Sequence, residues 1–246
     1  MSARRLAALF ALALLFSVPA FAAKRRAARS AAPPASSGGD CHTFGLVRAG
    51  LQASYHATAP GGDADFTITY ITDTPTFTHT TQRTVTAQGT ADAETRLDGE
   101  VSGNLRGLKH LNVKVSTMVP IIGAVTTEVD IDFVPTLTLG PAAGWCVGNT
   151  WNVAPVTETI VSRTPVGQQQ QVVTTIGGSG EVLAVGAMIT VPAGTFKTVK
   201  YRGVSVSGTA VETAITWVSM EHNIVVRQDT VDGNGVVTST TVLTKV

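Results

Sequence analysis

The chain has 246 residues, a formal net charge of +1 and only 14% charged residues. Charge this close to neutral gives no electrostatic ground for a nucleic-acid partner. A composition rich in Val, Thr and Gly, with Thr at about one residue in seven, suits pleated strands and disfavours long helices.

The first segment reads as a secretory signal peptide. Arg4 and Arg5 form a short basic start, an apolar run extends from Leu6 to Val18, and Ala20-Phe21-Ala22 is a small-x-small cleavage pattern. Cleavage is expected after Ala22, which makes the mature chain periplasmic or secreted. Lys24, Arg25, Arg26 and Arg29 follow at once, and positive charge there favours cytoplasmic retention. An uncleaved anchor in the inner membrane is therefore the alternative. No later segment is a membrane-spanning helix. Residues 23–40 are Ala, Pro, Ser, Gly and Arg with almost no apolar bulk, the composition of a disordered basic linker.

Residues 41–246 are expected to form a single all-β domain, with 135–148 as the one plausible seam. Alternation of period two recurs along it. Phe66, Ile68 and Tyr70 alternate with Thr67 and Thr69. Leu111, Val113 and Val115 alternate with Asn112, Lys114 and Ser116, and Val129, Ile131 and Phe133 with Glu128, Asp130 and Asp132. The last two runs flank Pro120–Gly123 and predict a hairpin. Keeping both polar sets on one face needs an odd-length loop and sets Lys114 opposite Glu128 or Asp130. Further strands are predicted at 157–162, 171–175, 182–191, 196–207, 214–219, 224–231 and 236–245. Gly233-Asn234 is read as a two-residue primed turn. Short connections between sequential strands predict an antiparallel meander curled into a β-roll, half-barrel or barrel.

Cys41 and Cys146 are the only cysteines. In an oxidising compartment an isolated pair predicts a disulfide. Closing a loop of that length stabilises by roughly 4–5 kcal/mol in the chain-entropy model.

From Gly148 onward the chain carries Gly148-Asn149-Thr150-Trp151, then Val191-Pro192-Ala193-Gly194-Thr195-Phe196, then Trp217 followed by Ile224-Val225 and Arg227. This arrangement resembles bacterial exported proteins of the TapB-like group and related domains, with the pattern G-x-x-W, V-P-A-G-x-F, W-Y-x-P-G-x-G-L-V-K. Met220 and Glu221 replace its Pro-Gly, and Asn223 stands where the pattern has Gly. Asn tolerates positive φ, so that turn can survive. The resemblance implies an all-β roll or half-barrel in the bacterial envelope and transfers no catalytic residue.

No cofactor is implied and no catalytic motif is present. The five histidines lie in no nucleophile motif. Glu128, Asp130 and Asp132 point one way along one strand, which reads as a solvated face opposed by Lys114 rather than a metal site. Export, an all-β fold and no catalytic motif together point to a non-catalytic envelope domain that binds an amphipathic, lipid-like ligand or a partner envelope protein. Trp145, Trp151, Phe196, Tyr201 and Trp217 are the candidate cavity residues. A structural scaffold of the envelope is the alternative, and a cryptic hydrolase using His79 or His222 is the third reading.

Overall fold

A computed structural model describes residues 41–246, apart from 88, 103–104, 120–122, 165–166 and 168. The signal segment and the linker lie outside the described residues. The strands are β1 (Cys41–His42), β2 (Gln52–Thr58), β3 (Ala64–Asp73), β4 (Phe77–Thr86), β5 (Gly89–Ser102), β6 (Leu105–Val119), β7 (Gly123–Leu139), β8 (Trp145–Cys146), β9 (Thr150–Arg163), β10 (Gln169–Val191), β11 (Gly194–Ser207), β12 (Ala210–Ser219), β13 (Val225–Val231) and β14 (Val237–Lys245). β1 and β8 pair with each other, and the remaining twelve form one closed antiparallel barrel. Among the three curled forms open to the sequence, closure is complete. Each strand lies beside its sequence neighbours, β9 follows β7 directly, and β14 returns to β2.

The period-two pattern fixes which side of the wall each residue faces. Inward Leu111, Val113 and Val115 of β6 stand opposite Ile131, Val129 and Thr127 of β7. They join Ala91, Ala93, Phe133, Val156 and Ile176 in one apolar cluster. A second cluster holds Leu51, Ala53 and Tyr55 with Val226 and Leu243, and Phe66, Ile68 and Tyr70 pack on it. The outer face carries the charges. Lys114 sits in register with Glu128, its Nζ 3.3 Å from Oε1. Arg163 pairs with Asp130, Arg96 with Glu94 and Arg202 with Glu181. A lipid-facing barrel reverses this order, apolar outside and polar within, so the wall is built for water.

Two sequence-level readings are corrected. The runs 171–175 and 182–191 are one strand, β10, of 23 residues. The glycines between them mark a close approach and not a break: a Cβ on Gly180 would lie 2.0 Å from Trp151 Cζ2, because Trp151 faces Gly180 in register and lays its indole over it. The last hairpin does not use a two-residue primed turn either. Positive φ falls on Gly235, at 82°. Asp232 Oδ1 accepts from the Asn234 and Val236 amides, so a side chain organises a longer loop.

The β6–β7 hairpin follows expectation. Val119 pairs with Gly123, which leaves an odd number of residues between them.

Candidate functional site

The two ends of the barrel are built differently. The meander places the 73–77, 139–150, 191–194 and 219–225 connections at one end, with the start of β2 and the close of β14. The 58–64, 86–89, 119–123, 163–169, 207–210 and 231–237 connections lie at the other.

The first end is capped. Register shifts between Val182 and Ala187 bend the β10–β11 hairpin, and its tip reaches β14, where the Ala193 amide donates to the Leu243 carbonyl. Val191 and Phe196 thereby pack on Leu51, Ile224, Val226 and Leu243. Pro192 has no N–H to offer a ladder and occupies the turn.

A strap lies beside the tip. Cys41 and Cys146 are disulfide-bonded and tie β1 to β8. Gly148 donates to the Val182 carbonyl, and Val182 donates to that of Asn149. From β1 the chain runs to the β12–β13 turn. There Asn223, at φ 57°, accepts from the Gly45 amide and donates to the Leu46 carbonyl. Val47 then donates to Asp73.

Of the five candidate cavity residues, three come together under this strap. The Trp145 ring lies 5.4 Å from Trp151 and 5.2 Å from Tyr201, with Phe44 at 5.1 Å. Tyr201 bonds Thr216, which also accepts from Gln228 Nε2 at 3.2 Å. Burial raises the Tyr201 hydroxyl pKa against that bond. Phe196 belongs to the hairpin tip, 6.2 Å from the His222 ring. Trp217 stands on the outer face, with Lys200 Nζ 4.8 Å and Arg227 Cζ 5.6 Å from its ring centroid. Register explains the separation: Thr216, not Trp217, pairs with Tyr201. His79 also faces outward, beside Glu94.

At the second end the β9–β10 hairpin runs past the last β10–β11 pair, Ile176 with Ser207. Inward Ile176 of β10 is 6% exposed, whereas inward Val172, nearer the β9–β10 turn, is 55% exposed. On the outer face near this end Val85, Met118, Val173 and Val206 are exposed, as are Val236 and Val237 of the β13–β14 connection and the start of β14. Below it the inner wall divides. β5, β6, β7 and β9 contribute the apolar cluster, while β4 contributes Thr80, Gln82 and Thr84, and β11–β13 contribute Ser205, Thr216, Gln228 and Thr230.

Two carboxyls were missed by the sequence reading. Glu158 of β9 is 7% exposed, set between Phe133 and Thr174, and makes no hydrogen bond or ion pair with a described residue. Burial raises its pKa above the carboxylate range. Glu212 of β12 pairs with Ser205; burial raises its pKa too, opposed by a bond to Thr230. Thr157-Glu158-Thr159 carries no apolar residue to fix its phase. Only Val156 and Ile160, one step further along, betray which side Glu158 takes.

No protein-family model matches the chain, and no curated protein is detectably similar to it in sequence. Among solved structures, a Bacteroides fragilis protein described as exported and as having a YmcC-like fold is 14% identical, with a TM-score of 0.48 over 83% of this chain and 99% of that one. A Parabacteroides distasonis protein described as a lipoprotein is 17% identical, with a TM-score of 0.44 over 84% of this chain and 99% of that one. Likenesses of this size reach no further than the general course of an all-β chain.

Proposed function

We propose that the chain is an exported, non-catalytic binding protein that takes an amphipathic ligand through the open end of its barrel. Export is supported by the N-terminal signal pattern and by the Cys41–Cys146 disulfide, which suits an oxidising compartment. No described helix is long and apolar enough to cross a membrane. The observation that carries the binding reading is the gradient along β10, from buried Ile176 to exposed Val172 on the same inner face. An inner face that passes from buried to exposed towards one end, beside a polar stretch of the same wall, offers both kinds of surface an amphipathic molecule needs.

The test uses the mature protein purified from its own host. Native mass spectrometry is expected to find a co-purifying lipid-like adduct, and the neutral probe Nile red is expected to bind and be displaced by it. Val172→Asp should weaken probe binding about tenfold, the effect of a charge placed on the apolar lip, with the circular dichroism spectrum unchanged. A protein that carries no adduct and leaves Nile red dark would refute the reading.

A further inference from the structure

We infer that the ligand's polar group is a hydrogen-bond donor, an amine or a hydroxyl, and that carboxylate and phosphate amphiphiles are excluded by the acceptors facing the open end. The inference rests on the binding reading above and narrows it to a chemical class.

The argument begins with what the inner wall offers. Glu158 lies one inward position below Val172 and Ile160, since Thr174 pairs with Glu158 and Val172 with Ile160. That spacing is roughly 7 Å along a strand. Glu212 of β12 also faces inward near that end, one inward position from Ala210, and its register runs through Ser205 to Gly178 of β10. Thr174 stands beside Glu158 and Ser205 beside Glu212. Gln82 on β4 is 3% exposed, and although its Nε2 donates to Thr84, its Oε1 accepts from nothing.

No cation balances these groups. Arg163, Arg83, Lys114 and Arg202 all belong to the outer face, by their alternation with inward Ser162, Thr84, Val115 and Tyr201. His56, His79 and His110 face outward too, on Asp65, Glu94 and Asp132. Among the described side chains, none that could hold a positive charge faces the interior near the open end. A buried carboxyl with no partner is costly, and Glu158 and Gln82 both leave acceptor capacity unused. An ammonium or hydroxyl on an alkyl chain would supply the missing donor while its chain lay along Ile160 and Val172 at the rim. A carboxylate or phosphate at Glu158 would meet a carboxyl with no cation beside it to neutralise the repulsion.

Three amphiphiles of one chain length decide the matter: tetradecylamine, tetradecanol and tetradecanoate, each used below its micelle-forming concentration to displace Nile red at neutral pH. The amine is expected to bind at least about tenfold more tightly than the carboxylate, with the alcohol between them. Glu158→Gln should bring the amine to within about threefold of the alcohol, and an unchanged circular dichroism spectrum shows that the variant folds. Tetradecanoate binding as tightly as the amine, or a Glu158→Gln, Glu212→Gln double variant that keeps the amine preference, would overturn the donor assignment and leave the binding reading standing. Failure of all three amphiphiles to bind would instead overturn the binding reading.

Discussion

At the scale of single residues, the tightest constraint is the glycine beneath Trp151. Any side chain at position 180 would enter the indole, and overpacking of this kind typically costs 1–3 kcal/mol. Gly180→Ala is therefore expected to destabilise by about 2 kcal/mol or more. Gly61→Ala, at a loop site with nothing within 4 Å, should change stability by under about 0.5 kcal/mol. Paired denaturant melts check both. Glu158 gives a prediction with a pH signature. Its carboxyl is held above the ordinary range by burial, so the fold favours the protonated form. The penalty is absent below the unfolded value, about pH 4, grows as pH rises towards the raised value, and is complete above it. Glu158→Gln should thus stabilise the protein at neutral pH by on the order of 1 kcal/mol, with the gain vanishing at about pH 4. A gain that persists in acid would contradict this account. The sequence disclosed the aromatic residues but not their sides. Trp151 and Tyr201 meet because register and Gly180 allow it, whereas Trp217 is turned outward by one position.

Elements were more legible than residues where apolar side chains marked the phase. β6 and β7 alternate cleanly, and their pairing, Lys114 opposite Glu128 included, follows from the pattern. β10 was not legible, because four consecutive small residues at 177–180 look like a turn when the bulky partner that needs the space lies on another strand. The cap was half legible. The cystine could be foreseen from composition, but its position as a strap over one end depends on Asn223 and Asp73, contacts far away in sequence. Removing the cystine in a Cys41→Ser, Cys146→Ser variant should cost roughly 3–5 kcal/mol, as expected for a loop of 105 residues. Asn223→Gly should keep the turn, since glycine accepts the φ of 57°, yet lose both bonds to the strap at about 1 kcal/mol each. Amide exchange at Gly45 is expected to accelerate in that variant, with β12 and β13 unaffected.

At the scale of the whole molecule, the barrel inverts the plan of a membrane-spanning one. Ion pairs such as Glu94–Arg96 and Lys114–Glu128 line the outside, where exposed pairs contribute little to stability but keep the wall wetted. The interior keeps the apolar clusters. The even number of strands and the meander order would suit either environment; the sidedness of the charges decides between them. Stability must then depend on closure, because a sheet left open exposes two unpaired edges. A chain truncated after Val231 lacks β14 and leaves the free edges of β13 and β2. It is expected to show no cooperative melt and to aggregate, as measured by calorimetry and light scattering.

The meeting of β2 with β14 has a bearing on how the protein is made. Some 190 residues separate Tyr55 from its partner Leu243, so the earliest long strand must wait for the last before one of its flanks is covered. Until β14 arrives, β2 keeps one unpaired margin, so in an exported chain closure follows translocation and the margin needs shielding in the envelope meanwhile.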